Sequence, residues 1–116
     1  MEYRRLGKTD ISLSALGFGT MRLPTIDGVF NQVDIPKAKE LVRKAIDSGV
    51  NYVDTAYPYH GNGFSESAVK EILADGYRDK VYLGDKLSVW FCESYEDCEA
   101  FFEGQLERCG TDHFDL

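Results

Sequence analysis

The sequence contains no apolar run approaching the ~18–20 residues that a membrane-crossing helix needs, so these residues predict no spanning helix. Cysteine is scarce. Cys92, Cys98 and Cys109 are odd in number and lack the CxxC or finger spacing of a redox pair or zinc site. They read as buried or half-buried thiols, and no metal centre is expected. Basic residues are in deficit: 13 Lys and Arg against 20 Asp and Glu give a net charge of −7. That balance argues against nucleic acid or an anionic membrane as partner. It does not exclude an anionic cofactor, which reads local charges and helix ends rather than the total. No low-complexity stretch or linker divides the chain, and Met1-Glu2-Tyr3-Arg4-Arg5 is not followed by the apolar core of a secretory signal. The expectation is a cytoplasmic protein with residues 1–116 forming one unit.

What is present is a strict order of elements. Tyr3 to Leu6 and Ile11 to Leu16 flank Gly7-Lys8-Thr9-Asp10, a hairpin signal. Leu16-Gly17-Phe18-Gly19 reads as a compact buried strand. Asp34 then offers an N-cap and Pro36 suits a first turn, with Ile35, Ala38, Leu41/Val42 and Ala45/Ile46 at helical spacing and Gly49 as the stop. Val50 to Val53 forms the next strand and ends at Asp54. A second helix is expected to be capped by Ser65, to bury Ala68, Val69, Ile72 and Leu73, and to stop at Gly76. Val81-Tyr82-Leu83 is a further strand ending near Lys86. Ser94 and Asp97 make a capping-box pattern for a third helix with the stripe Tyr95, Cys98, Phe101/Phe102, Leu106, Cys109 and the stop Gly110. Phe114-Asp115-Leu116 reads as the start of a fourth strand.

Strand alternating with helix predicts right-handed βαβ units on a parallel sheet. Gly19, Asp54 and Lys86 close successive strands at intervals of 35 and 32 residues. Eight such units would need roughly 260 residues, close to the ~250 typical of a (β/α)₈ TIM barrel. The fold class expected is therefore α/β: an N-terminal hairpin followed by the N-terminal portion of such a barrel. A sheet of so few parallel strands leaves unpaired edges, so these residues alone are expected to self-associate rather than persist as a stable monomer.

In an all-parallel barrel the strand ends share one C-terminal face, where active sites of this architecture lie. Strands ~4.8 Å apart bring Asp54 and Lys86 within salt-bridge reach, with the loop after Asp54 folding Tyr59 over them. Such a trio suits carbonyl reduction. Hydride transfer creates an alkoxide that needs a proton, a free phenol near pKa ~10 is a reluctant donor, and a neighbouring cation makes it readier. Tyr59 would be the general acid, Lys86 its tuner and Asp54 the orienter of Lys86. Taken singly, each residue has a plainer reading: a strand-end carboxylate on backbone amides, a solvated lysine, a rim aromatic. Trp90 and Phe91 either line a substrate pocket or cover the third helix.

Leu16-Gly17-Phe18-Gly19-Thr20-Met21-Arg22-Leu23-Pro24, then Asp54-Thr55-Ala56-Tyr57-Pro58-Tyr59, Ser65-Glu66 and Lys86-Leu87 resemble, in order and spacing, the aldo-keto reductase family. The resemblance implies an NADPH-dependent oxidoreductase acting on small carbonyl substrates through an Asp-Tyr-Lys-His tetrad, of which Asp54, Tyr59 and Lys86 match three members. It also implies that Gly19, Thr20 and Met21, together with Asp54, face the nicotinamide half of the cofactor, with Arg22 a weaker candidate. The tetrad histidine belongs on the fourth strand beyond Leu116, so neither His113 nor the loop residue His60 is assigned to it, and the fragment itself is expected to be inactive. Relatives usually carry Thr where Asp85 stands; alternation along the strand turns Asp85 toward the helices. The stretches Tyr3–Thr9, Met21–Pro24 and Tyr57–Gly61 are similar to members that append a ferredoxin-like iron–sulfur region, whose cluster nothing in these residues could hold. The rival reading is a cofactor-binding regulatory or sensing subunit with the same fold. A weaker rival is another barrel enzyme sharing only architecture.

Overall fold

The computed structural model describes all residues, Met1–Leu116. Strands β1 (Tyr3–Arg5) and β2 (Ser12–Ser14) pair antiparallel as the expected hairpin. The hairpin docks at the N-terminal end of the main sheet. Tyr3 Oη donates to the Gly49 carbonyl at 2.8 Å, and the Asn51 side chain bonds Ser12 and Ser14. Gly49 is required twice there, by a φ of +103° and because a Cβ would lie 2.9 Å from Met1 and Tyr3 atoms.

The main sheet is parallel. Strands β3 (Phe18–Gly19), β4 (Tyr52–Asp54) and β5 (Tyr82–Gly84) lie side by side in that order, with Gly19 opposite Asp54 and Asp54 opposite Gly84. The chain end continues the series. Asp115 N–H donates to the Leu83 carbonyl at 2.9 Å and Asp85 N–H to Leu116 at 3.2 Å, so a fourth strand begins beside β5. Leu16, expected to be buried, is 61% exposed.

Helix α1 (Ile35–Asp47) starts as its sequence dictates, with the Asp34 carboxylate accepting from Lys37 N–H at 3.2 Å. It buries Ala38, Val42 and Ile46, one residue per turn. Leu41, paired with Val42 in the sequence reading, is exposed instead. Helix α2 (Phe64–Ile72) corrects another expectation: its N-cap is Gly63, not Ser65. Ser65 sits one residue inside the helix because its hydroxyl is engaged by the sheet. The helix ends at Ile72, and Gly76 turns the chain four residues later with a φ of +80°.

Helix α3 (Tyr95–Cys109) opens on the expected capping box, with Asp97 N–H donating to Ser94 Oγ and Ser94 N–H donating back to the Asp97 carboxylate. Gly110 ends it with a φ of +63°. Its buried residues are Gln105 and Cys109, whereas Tyr95 and Phe102 of the expected stripe are exposed.

Alternation decides the layers. Val53 and Leu83 point toward the helices and join a core with Ala38, Val42, Ile46, Ala68, Val69, Ile72 and Cys109. Tyr52, Asp54 and Gly84 take the opposite face, which in a closed barrel is its interior. No helix is long and apolar enough to cross a membrane.

Candidate active site

Asp54 ends β4, and Lys86 follows β5 by two residues. Because the strands are parallel and in register, the two side chains emerge at the same rim. Lys86 Nζ donates to Asp54 Oδ1 at 2.8 Å, to Asp54 Oδ2 at 2.7 Å and to the Thr55 carbonyl at 2.9 Å. The ammonium is thus held on three acceptors. Tyr59 lies over it, with the nitrogen 5.2 Å from the ring centroid. Burial alone would pull Lys86 toward neutrality. The hydrogen bonds and charge of Asp54, with a further contribution from Tyr59, outweigh burial and hold Lys86 above the usual lysine range.

The loop that carries Tyr59 is fixed from below. Thr20, Thr55 and Ser65, all fully buried, form a closed triangle of hydroxyls with edges of 2.8–3.0 Å, and Thr20 Oγ1 also donates to the Asp54 carbonyl. The triangle ties the loop after β3, the end of β4 and the start of α2 to one point. It accounts for Ser65 lying inside the helix rather than capping it. Sequence reading missed Thr55 and Ser65 as a cluster, since their meeting depends on packing across three elements.

His60 is buried, neither solvated nor at the site. Its Nε2 accepts from Leu23 N–H at 3.0 Å, leaving Nδ1 to donate to the Phe30 carbonyl at 2.7 Å, and the ring stacks on Phe30. The histidine clamps the loop after β3 onto the Tyr59 loop. His113 hydrogen-bonds Asp112 and Arg78, away from the rim.

Of the residues expected to face a cofactor, Gly19 has nothing within 4 Å of where a Cβ would stand. Met21 and Arg22 are exposed beside it. The Thr20 side chain differs: it points into the hydroxyl triangle, so only its backbone is left to face the rim. Phe91 packs edge-on against Tyr57 and stacks with Phe101 of α3, while Trp90 is 69% exposed. Phe91 therefore covers the top of the third helix, as one of the two alternatives had it.

Behind Lys86 is a polar cluster that the sequence did not reveal. Glu66 of α2 is fully buried, paired with Arg108 Nε and accepting from Gln105 Nε2 at 2.9 Å. Gln105 also donates to the Lys86 carbonyl at 3.0 Å. Asp85 turns toward this cluster as alternation requires, its Oδ1 accepting from Lys86 N–H at 2.8 Å. Burial, followed by the repulsion of Glu66, pushes the Asp85 carboxyl up to about 7, with the Lys86 amide opposing. Burial and then the same two carboxylates push the Cys109 thiol far above its ordinary range, so this cysteine is an inert thiol.

The family model described as the aldo/keto reductase family matches residues 15–116. An aldo-keto reductase of Bacillus subtilis, YhdN, is 31% identical over all of this chain and 37% of its own length. A probable voltage-gated potassium channel subunit beta of Oryza sativa is 33% identical over all of this chain and 36% of its own. A crystal structure of an aldo-keto reductase from Klebsiella pneumoniae in complex with NADPH superposes with a TM-score of 0.71 at 28% identity, over 90% of this chain and 34% of that one. The chain therefore spans little more than a third of the length of these relatives, and what it builds matches part of such a fold. With the family model matching residues 15–116 and the strand order that of an α/β barrel segment, the chain belongs to the aldo/keto reductase family.

Proposed function

We propose that, within a complete barrel, this rim reduces small aldehydes or ketones with a nicotinamide cofactor, preferably NADPH, and that Tyr59 is the proton donor. The observation that carries the reading is the Lys86 ammonium held on both oxygens of Asp54 and lying 5.2 Å from the Tyr59 ring. The open space at Gly19 and the exposed Met21 and Arg22 fit the nicotinamide half of the cofactor, with the Thr20 backbone beside them. When bound, the reduced nicotinamide supplies the hydride. The chain's own residues manage the proton. Tyr59 Oη donates to the carbonyl oxygen as negative charge develops there, and the adjacent cation stabilises the phenolate left behind. Asp54 keeps Lys86 charged and aimed. The Thr55 carbonyl stops the ammonium from swinging away.

Tyr59→Phe in the full-length protein is the test. It should leave NADPH binding nearly intact, followed by quenching of protein fluorescence, while lowering carbonyl reduction by roughly 10²–10⁴-fold. Retained turnover would remove Tyr59 as donor. The similarity to a potassium channel β subunit favours a second reading, a cofactor-binding sensing or regulatory subunit. Oxidation of NADPH that stops at one equivalent per protein across a panel of aldehydes would support that reading over a catalytic one.

A further inference from the structure

A second tyrosine reaches the same carboxylate. Tyr52 and Asp54 are two residues apart on β4 and so share the inner face of the sheet. The Tyr52 hydroxyl lies 3.2 Å from Asp54 Oδ1, the oxygen that also accepts from Lys86. Two glycines make room for its ring. A Cβ on Gly17, next to the strand β3, would come within 2.8 Å of Tyr52 Cδ1; a Cβ on Gly84, on β5, would come within 2.7 Å of the Tyr52 hydroxyl. The ring thus lies across the sheet in a slot that exists only because both flanking strands lack a side chain at those heights. Neither glycine has a positive φ, so close approach and not backbone conformation is what demands them.

We propose that Tyr52 is a positioning residue of this site: seated between Gly17 and Gly84, its hydroxyl donates to Asp54 and fixes the carboxylate that in turn holds Lys86. The proposal rests on the reading of the rim as a carbonyl-reducing site. The two tyrosines then have different tasks. Tyr59 gives up a proton next to the cation. Tyr52 keeps its proton, because burial and then the Asp54 charge push its phenol above the ordinary tyrosine range. It is a permanent donor rather than an acid. Lys86 binds both carboxylate oxygens, a grip that leaves the carboxylate free to tilt with the lysine; a second donor on Oδ1, anchored in a packed ring, removes that freedom.

The test is a double-mutant cycle in the full-length protein. Tyr52→Phe keeps the ring and removes only the donor. It should lower kcat about tenfold, the size expected for losing one hydrogen bond to a charged group, with KM for NADPH unchanged. In an Asp54→Asn background the same substitution should lower kcat less than twofold, because the group through which Tyr52 acts is already gone. Equal losses in both backgrounds, or no loss in either, would overturn the proposal. Gly84→Ala, which displaces the hydroxyl from the opposite side, should reproduce the Tyr52→Phe loss, and thermal unfolding of each variant separates a lost contact from a lost fold. A readout independent of activity is the titration of Tyr52 followed by its ¹³Cζ resonance. Its midpoint should fall in Asp54→Asn; an unmoved midpoint would show that the two groups are not linked. Should the parent reduce no carbonyl while that midpoint still moves, the carbonyl-reduction reading fails and the Tyr52–Asp54 linkage stands.

Discussion

At the scale of single residues, position along a parallel strand sets the height and the face at which each side chain leaves the sheet. Asp54 and Lys86 stand 32 residues apart, one βα repeat, and parallel neighbours bring them to one rim, where the long Lys86 side chain reaches Asp54 at 2.7 Å. Asp85 illustrates the other kind of residue. Alternation turns it inward correctly, yet nothing in the sequence says that Glu66 will be waiting there. The groups that face it are Glu66 from α2, Cys109 from α3 and Lys86, whose amide it accepts from and whose charge also acts on it; the nearby Asp115 is occupied by Arg78. An ordinary aspartate releases its proton near pH ~4, whereas this one is held up to about 7, chiefly by burial. Between those values the folded state binds a proton that the unfolded chain has lost, so stability falls as pH rises through that window and levels off above it. Asp85→Asn should flatten the fall. Thermal unfolding of parent and variant at intervals from pH 4 to pH 8 checks it, and parallel curves would contradict the placement of this carboxyl. Tyr52 was unreadable for the same reason as Glu66: its role appears only when the glycines of two other strands are seen to make space for it.

At the scale of elements, capping chemistry was legible and burial was not. The Ser94–Asp97 box and the Asp34 cap are local, written within four residues, and both form. The buried face of α3 is different. The apolar stripe predicts Tyr95, Phe102 and Cys109 inward; Cys109 is buried, but Tyr95 and Phe102 are exposed and Gln105 is buried instead, because α2 presents a carboxylate to it. Polar residues win the contact once Glu66 is committed to the interior. The two kinds of feature should differ in energetic weight. Ser94→Ala removes an exposed cap and should destabilise the full-length protein by about 1 kcal/mol. Arg108→Met strands the fully buried Glu66 carboxylate and should destabilise by about 3–5 kcal/mol, because an unpaired buried charge is far worse than no charge. Replacing Glu66 as well, with Met, should recover much of that loss. Urea unfolding of the three variants checks the order, and a loss from Arg108→Met no larger than that from Ser94→Ala would show that the pair is not dry.

At the scale of the whole molecule, the architecture was legible because repeat length and strand order are properties of the sequence itself, while the exposure of Leu16 depends on what closes around it. Only 24 of 116 residues are buried. The surface of 6993 Å² exceeds the roughly 6,400 Å² expected of a compact monomer of this mass. The excess is apolar in character: Leu16, Leu87, Val89, Trp90, Phe102 and Leu116 are all more than two-fifths exposed or at that mark. The outer edge of β3 has no strand partner, and the inner face of the sheet carries Tyr52 and Asp54 without an opposing wall. Unpaired strand edges seek other edges. A polypeptide of these 116 residues should therefore associate as its concentration rises, seen by sedimentation velocity, and its thermal transition should broaden or shift with concentration. The hairpin already blocks the lower end of β4 through Tyr3 and Asn51, so the β3 edge and the inner face are the surfaces through which association would proceed. A lysine placed at exposed Leu16, beside that edge, should weaken association without touching the core. A sharp transition independent of concentration would mean instead that the twelve-residue core between sheet and helices suffices on its own, and that the remaining strands of a barrel add to the stability of this unit without being needed for it.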